Sequence, residues 1–249
     1  MEQYYQAGQQ IMGLEFYLPS GHKTGRKYPA IIFFYGGGFV RRNLEDFRPH
    51  CRYFASRGYV CVNADYRLLS ETGDLKECYR DGERALGRVE ELADLYGIDI
   101  GRICLCGSSS GGALACHSAM KHPEVSSLVL MAPGLAWQYR SVEYLGKPES
   151  AMSDVIAQEA VRHEDWEQAY YLLDDHPLPP TLIMVGTADE VCYRGCALFH
   201  QKALDRGLDS TLVLFEGLSH GQLGFDRSED NFGYLQSVKR MEEYLNRLN

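Results

Sequence analysis

The amino-acid sequence predicts one α/β domain with a mostly parallel central β-sheet and helices on both faces. Its 249 residues suit a single continuous domain of this class. Hydrophobic residues make up 45% and charged residues 24%, a balance typical of globular proteins that excludes intrinsic disorder. Short apolar runs alternate with amphipathic helical stretches, and this alternation predicts a parallel sheet covered by helices.

Seven segments are predicted to be strands. The first, Ile11–Leu18, is mixed in character and is predicted to be an edge strand. Six nearly continuous apolar runs follow, as expected for strands buried on both faces: Ala30–Tyr35, Val60–Ala64, Ile103–Cys106, Leu128–Ala132, Leu182–Val185 and Leu212–Phe215. Such sheets bind ligands at the carboxyl ends of their strands, so the residues after each run are candidates for a site.

Two helices are predicted from apolar residues that recur with a period of 3.6. The first is carried by Leu75, Cys78, Tyr79, Ala85, Leu86, Val89, Leu92, Ala93 and Tyr96, and the second by Leu235, Val238, Met241, Leu245 and Leu248. The connection between the strands near Ala132 and Thr181 is unusually long. We predict that residues 135–177 form a small, aromatic-rich cap insertion within the domain, with helices packed away from any site as the alternative.

The charge of the chain argues against several classes of partner. Lys and Arg total 25 and Asp and Glu total 34, so the net charge is -9, which repels nucleic acid and anionic lipid. Apolar stretches fall far short of the roughly 20 residues that span a bilayer, and the N-terminus lacks a secretory signal. We therefore expect no nucleic-acid partner, no membrane partner and a cytoplasmic location.

Eight cysteines occur without a CxxC pair and are interpreted as buried free thiols. Cys192, Cys196 and His200 recur on one face of a predicted helix, a pattern that three zinc ligands could also produce. A helix face packed on the core is the preferred interpretation, because no fourth ligand is evident. We predict neither a metal nor a cofactor.

A candidate nucleophile follows the strand Ile103–Cys106. Gly107-Ser108-Ser109-Ser110-Gly111 matches the pattern G-x-S-x-G, in the strand–turn–helix context that a nucleophile elbow requires. Ser109 is its central residue, and glycines flank it because side chains there would collide in a sharp turn. An anion-binding loop is the competing interpretation. Ser110 is the alternative register and fits worse, because Ser108 would then occupy a glycine position.

Three further features supply the other parts of an acyl-transfer site. Gly36-Gly37-Gly38 follows the strand Ala30–Tyr35 and offers unobstructed backbone N–H groups for a developing oxyanion. Asp189 follows the strand Leu182–Val185, and His220 follows Leu212–Phe215. A serine needs a histidine to take its proton and a carboxylate to orient that histidine. Glu190 is the rival for the acid.

The motifs Tyr35-Gly-Gly-Gly-Phe39, Asp65-Tyr66-Arg67-Leu68, Gly107-x-Ser109-x-Gly111, Asp189 and His220 together resemble the α/β-hydrolase superfamily. The similarity is greatest to esterases related to hormone-sensitive lipase and to short bacterial carbohydrate esterases. It implies an α/β-hydrolase fold, with Ser109 as nucleophile, His220 as general base and Asp189 as its partner. It also implies an oxyanion hole of Gly37, Gly38 and the Ser110 amide. The family usually has histidine where Tyr35 stands and often an acidic residue where Ser108 stands.

These features predict a serine hydrolase that cleaves small-molecule esters with short acyl groups, of acetylesterase or carboxylesterase type. An amidase, arylformamidase or peptidase could use the same triad, and an inactive fold that binds a small molecule is the alternative from another class. Tyr35, Phe39, Trp137 and Trp166 are assigned to the substrate pocket, and a homodimer is considered.

Overall fold

The computed structural model describes residues 2–7, 10–136, 168–223 and 232–248. Its strands are β1 Glu2–Ala7, β2 Gln10–Tyr17, β3 Tyr28–Phe34, β4 Val60–Ala64, β5 Ile98–Ser108, β6 Ser127–Met131, β7 Thr181–Gly186 and β8 Ser210–Phe215. They form one sheet in the order β1-β2-β4-β3-β5-β6-β7-β8. Only the β1–β2 and β2–β4 pairs among them are antiparallel, so the predicted mostly parallel sheet is confirmed.

The helices of the described residues are the 3₁₀ helix Leu44–Phe47, α1 Arg48–Ser56, α2 Leu69–Thr72, α3 Leu75–Glu91, α4 Ala93–Tyr96, α5 Ser109–Lys121, α6 Ala169–Leu172, α7 Tyr193–Asp205 and α8 Phe232–Leu248. The periodic run from Leu75 to Tyr96 is therefore interrupted. Leu92 leaves the helical conformation, with φ -91° and ψ 3°, and so separates α3 from α4. Within the described ranges, no helix has both the length and the apolar character needed to cross a membrane.

The two edges of the sheet differ from the prediction. The strand predicted over Ile11–Leu18 is β2, but it is not an edge strand, because β1 pairs with its outer side. The sequence of β1 mixes polar and aromatic residues and so contains no apolar run by which it could be found. At the other end of the sheet, β8 is an edge strand and its Leu214 is 46% exposed. The prediction that this strand is buried on both faces is therefore wrong.

The core packs helices closely against the central strands. Every residue of α5 from Ser110 to Met120 is buried. A Cβ atom on Gly82 of α3 would lie 2.4 Å from a methyl carbon of Leu114, so any larger residue at this position would force side chains of α5 to shift. All eight cysteines are buried free thiols, as predicted. This packing holds the beginning of α5 in a fixed position at the carboxyl end of β5.

The parallel strands bring four segments of the chain to one edge of the sheet. Gly36 follows β3, Ser109 follows β5, Asp189 follows β7 and His220 follows β8. Because β3, β5, β6, β7 and β8 all run in the same direction, their carboxyl ends share this edge.

The predicted cap over residues 135–177 lies mostly outside the described residues, and Trp137 and Trp166 lie outside them too. Its two described ends meet, since the Tyr170 N–H donates a hydrogen bond of 3.1 Å to the Leu135 carbonyl. The chain therefore returns to the point at which it left the domain. This agrees with an insertion, and the cap itself stays a prediction.

Candidate active site

Ser109 lies in a strained turn between β5 and α5. Its φ of 51° is in the left-handed region that side chains rarely adopt. A Cβ atom on Gly107 would lie 2.2 Å from the Gly111 carbonyl oxygen, and one on Gly111 would lie 2.2 Å from the carbonyl oxygens of Phe34 and Tyr35. Both glycines are thus required for steric reasons, as expected for a nucleophile elbow.

His220 lies between the Ser109 hydroxyl and the Asp189 carboxylate and contacts both. Ser109 Oγ is 3.1 Å from His220 Nε2, and His220 Nδ1 is 2.9 Å from Asp189 Oδ2. Both distances are within hydrogen-bonding range. The Asp189 side chain is fully buried, whereas that of His220 is 30% exposed. The arrangement can move a proton from the serine to the imidazole while the carboxylate orients the ring.

The Asp189 carboxylate is held by its own loop. Its Oδ1 accepts hydrogen bonds from the N–H groups of Val191 at 2.9 Å and Cys192 at 2.8 Å, which leaves Oδ2 for the histidine. The loops of the acid and the base are also joined directly, since the Ala188 N–H donates to the Leu218 carbonyl at 3.1 Å. Glu190, the rival acid, is exposed to solvent. Asp189 is therefore the carboxylate that faces the histidine.

The glycine loop after β3 lies directly beside Ser109. A Cβ atom on Gly36 would be 3.1 Å from the Ser109 Cβ, and one on Gly37 would be 2.2 Å from the Arg41 carbonyl oxygen. Gly37 and Gly38 have φ values of 142° and 64°, so this loop depends on the conformational freedom of glycine. Among the described residues, neither amide donates a backbone hydrogen bond.

Ser110, the third predicted contributor, is the second residue of α5. Amides in the first turn of a helix have no partner within the helix, and the positive end of the helix dipole lies there. The Ser110 side chain is fully buried, with its Oγ 3.2 Å from the Tyr66 hydroxyl. It points into the protein rather than toward His220, which favours Ser109 as the register of the motif.

A partly buried hydrogen-bond network involves residues at both ends of the glycine loop. The Tyr35 hydroxyl donates to Asp65 Oδ1 at 2.8 Å, and the Tyr66 hydroxyl donates to the Tyr35 carbonyl at 2.7 Å. Arg42, at the end of the loop, binds the same Asp65 oxygen at 2.8 Å and pairs with Glu71 at 2.9 Å. Burial raises the pKa of the Asp65 carboxyl, although the Arg42 and Tyr35 hydrogen bonds oppose the rise.

The sequence predicts that Tyr35 and Phe39 line the substrate pocket, but their positions favour a different role. Both side chains are completely buried. The Tyr35 ring stacks on Tyr66 at 4.3 Å between centroids, and Phe39 packs edge-on against Tyr66 at 5.8 Å. Their surroundings favour bracing of the glycine loop over contact with a substrate.

The helical group of Cys192, Cys196 and His200 does not converge on a common point in the described structure. Cys196 donates its thiol to the Pro133 carbonyl at 3.5 Å, while His200 Nδ1 lies 2.8 Å from Ser210 Oγ on β8. These contacts agree with the interpretation of this face as a packed helix surface.

Two residues that help to hold the site together could not be identified from the sequence. Arg42 and Glu71 complete the ion pairs that anchor the loop, and neither stands in a recognisable motif. The only sequence signal for this part of the site is Asp65, which belongs to the motif Asp65-Tyr66-Arg67-Leu68 after β4. The pairing of Arg42 with Asp65 depends on β3 and β4 being neighbours in the sheet.

Residues 31–224 match the family described as alpha/beta hydrolase fold. The chain belongs to this family. Among curated proteins, this hydrolase is 26% identical to an AB hydrolase superfamily protein of Schizosaccharomyces pombe, over 84% of this chain and 67% of that one. It is 28% identical to esterase LipI of Mycobacterium tuberculosis, over 59% of this chain and 47% of that one. The chain therefore spans about two thirds and about half of the lengths of these relatives.

Solved structures of esterase 2 from Thermogutta terrifontis cover the hydrolase more fully. The propionate-bound form has 29% identity and a TM-score of 0.83, over 100% of this chain and 93% of that one. The butyrate-bound form has 28% identity and a TM-score of 0.83, over 99% of this chain and 92% of that one. The form phosphorylated by paraoxon has 29% identity and a TM-score of 0.81, over 100% of this chain and 93% of that one. The predicted fold and the predicted class of enzyme, a serine hydrolase of carboxylic esters, are confirmed by these similarities.

Proposed function

We propose that this hydrolase cleaves esters of small carboxylic acids through an acyl-enzyme formed on Ser109. The observation that carries the proposal is the pair of contacts from Ser109 Oγ to His220 Nε2, at 3.1 Å, and from His220 Nδ1 to Asp189 Oδ2, at 2.9 Å. A neutral imidazole held in this tautomer accepts a proton at Nε2 while it donates from Nδ1.

In the first half of the reaction, Ser109 Oγ attacks the ester carbonyl carbon as its proton passes to His220 Nε2. The tetrahedral intermediate collapses when the bond to the alcohol oxygen breaks and His220 protonates the leaving alkoxide. In the second half, His220 takes a proton from water, the resulting hydroxide attacks the acyl-enzyme, and Ser109 regains its proton. The free acid is released and no cofactor is consumed.

The charge that develops on the carbonyl oxygen needs hydrogen-bond donors that are already in position. The amides of Gly37, Gly38 and Ser110 meet this need on two sides of Ser109. Their support comes from the close approach of Gly36 to Ser109 and from the position of Ser110 in the first turn of α5. A preorganised donor of this kind is typically worth a factor of about 10² to 10³ in kcat.

The preference for small acyl groups rests on two grounds. The similar Thermogutta terrifontis esterase has been solved with propionate and with butyrate, both short acids. In addition, the predicted cap is short, so a long acyl chain would extend into water, where added methylenes gain none of the roughly 0.8 kcal/mol that burial gives. Trp137 and Trp166 are the proposed aromatic walls.

A chain-length series of aryl esters tests the substrate class. We expect kcat/KM to peak between acetyl and butyryl and to fall by octanoyl. A value that climbs through decanoyl would instead favour a lipase-like enzyme. The matching anilides test the amidase alternative, since an anilide cleaved as fast as its ester would move the proposal to that class.

Labelling with paraoxon tests the nucleophile. We expect one diethylphosphoryl group on the peptide that contains Ser109, and none on the Ser109→Ala variant, as judged by mass spectrometry. An unlabelled wild-type protein that also hydrolyses no ester would favour the inactive, ligand-binding alternative.

A further inference from the structure

The acid and the base of the proposed triad lie beside a thiol. One donor atom from each of Asp189, Cys192 and His220 lies within 4.8 Å of the other two. Within the ranges that the structure describes, this is the one cluster of three His, Cys, Asp or Glu side chains with such geometry. It brings together a carboxylate oxygen, a sulfur and an imidazole nitrogen, which are the three kinds of atom that bind Zn²⁺ in proteins.

The backbone fixes the position of the thiol. Cys192 immediately precedes α7, and its N–H donates to Asp189 Oδ1 at 2.8 Å, so the residue is tied to the carboxylate. The Cys192 residue is 2% exposed and the Asp189 side chain is fully buried, while the His220 side chain is 30% exposed. A cation would therefore enter from the side of the histidine, where water can provide a fourth ligand.

We propose that Asp189, Cys192 and His220 form an inhibitory site for a thiophilic divalent cation such as Zn²⁺ or Cd²⁺. The inhibition rests on the proposed function, whereas the binding does not. The cation would be bound by Asp189 Oδ2, Cys192 Sγ and His220 Nδ1. The thiol proton is released to solvent when the metal–sulfur bond forms.

Inhibition follows from the tautomer of the histidine. The lone pair of Nδ1 can bind a metal only when that nitrogen carries no proton, so the imidazole proton moves to Nε2. Nε2–H then faces Ser109 Oγ, 3.1 Å away, and has no lone pair with which to accept the serine proton. This is the same loss of function that a wrong tautomer causes when a triad aspartate is replaced by asparagine.

The three ligand atoms also predict which cations inhibit the enzyme. Thiolate and imidazole ligands favour Zn²⁺ and Cd²⁺, whereas Mg²⁺ and Ca²⁺ prefer sites made of oxygen alone. We therefore expect Zn²⁺ and Cd²⁺ to inhibit at concentrations at which Mg²⁺ and Ca²⁺ have no effect, and a chelator to restore the activity.

The experiment compares the wild-type protein with Cys192→Ser, Cys192→Ala and the matched control Cys196→Ser. Cys196 lies one turn further along the same helix face, is also buried, and contacts Pro133 instead of the triad. Ester hydrolysis is measured against Zn²⁺ and Cd²⁺ and normalised to the metal-free rate of each variant. We expect the inhibiting concentration to rise by roughly 100-fold or more in both Cys192 variants, since even outer-shell changes cost 10–100-fold in metal affinity, and to stay unchanged in Cys196→Ser.

A second readout does not depend on catalysis. Cd²⁺ bound to a thiolate has an ultraviolet charge-transfer absorption, which we expect in the wild-type protein, in Ser109→Ala and in Cys196→Ser, but not in the Cys192 variants. Equal inhibition of Cys192→Ser and wild type, or inhibition without this absorption, would overturn the proposal. If the protein hydrolyses no ester, the proposed function fails, and the absorption still decides whether the metal site exists.

Discussion

The Tyr35 hydroxyl lies 2.8 Å from Asp65 Oδ1, and this hydrogen bond joins the start of the glycine loop to the end of β4. Arg42 binds the same carboxylate oxygen from the far end of the loop, so both ends of the loop are anchored on Asp65. In the family that the chain resembles, a histidine usually stands at the position of Tyr35. Here a tyrosine–carboxylate–arginine network lies at the base of the loop.

We expect Tyr35→Phe to lower kcat by up to about tenfold with little change in KM. The substitution leaves Asp65 with fewer donors and loosens the loop, which is less damaging than the loss of an oxyanion donor at about 10² to 10³. Steady-state kinetics on an aryl acetate measures the effect. Tyr17→Phe is the matched control, because the Tyr17 hydroxyl also binds a carboxylate, Glu15 at 3.2 Å, but on β2. Equal losses in both variants would refute a specific role for Tyr35.

We expect Ser109→Ala to lose ester hydrolysis by several orders of magnitude while the fold survives, because only the oxyanion hole would still act. Ser110→Ala keeps its backbone amide and loses only the contact with the Tyr66 hydroxyl, so we expect it to remain within about tenfold of wild type. Initial rates and circular dichroism measure both. The reverse order of damage would assign the nucleophile to Ser110.

We expect Asp189→Asn to lower kcat by roughly 10⁴, because asparagine holds the histidine in the wrong tautomer. The same change at the neighbouring position, Glu190→Gln, alters an exposed side chain and serves as the control. Turnover numbers on the preferred ester check both variants. Near-normal turnover in Asp189→Asn would transfer the orienting role to another acid.

The two glycines Gly111 and Gly87 should respond to alanine in opposite ways. A Cβ atom on Gly111 would lie 2.2 Å from two backbone oxygens, so we expect Gly111→Ala to destabilise the protein strongly or to prevent folding. Gly87 lies within α3 with nothing within 4 Å of such an atom, so alanine there should raise the free energy of unfolding by up to about 1 kcal/mol. Urea denaturation distinguishes the two, and a stable Gly111→Ala protein would refute the steric account of the elbow.

His50 should make the protein less stable in mild acid. Burial among Phe33, Phe47 and Tyr234 lowers the pKa of His50 from 6.5 to about 3. Above pH 6.5 the residue is neutral in both states and has no effect on the pH dependence. As pH falls below 6.5, His50 becomes protonated in the unfolded chain but stays neutral in the folded protein. This difference lowers the free energy of unfolding by about 2 kcal/mol at pH 5.

The variant His50→Phe should therefore lose less stability than wild type between pH 8 and pH 5, as measured by urea midpoints. His122→Gln provides a control of opposite sign. The nearby carboxylates of Glu83, the larger cause, and Glu124 raise the pKa of His122, so its contribution is present at low pH and is lost as pH rises through that raised value. Parallel pH profiles for wild type and His50→Phe would contradict the prediction.

Much of the fold could be predicted because its signals are local. Val60–Ala64 was predicted with the bounds that β4 has, since an unbroken apolar run reports burial on both faces directly. β1 was missed, because Glu2–Ala7 contains no such run and is a strand only through its pairing with β2. The position of β2 inside the sheet was missed for the same reason.

The sequence by itself determined the candidate nucleophile. Gly107 and Gly111 are required by steric contacts within the elbow and with β3, and the G-x-S-x-G spacing reflects that requirement. Only the tertiary structure decided which acid faces His220, that Arg42 and Tyr35 converge on Asp65, and that Cys192 lies beside Asp189 and His220 rather than in a helical zinc group. Steric strain at a turn depends on a few neighbouring residues and leaves a pattern in the sequence. Contacts between residues far apart in the chain depend on the order of the strands and on the paths of the loops that follow them, which no short segment encodes.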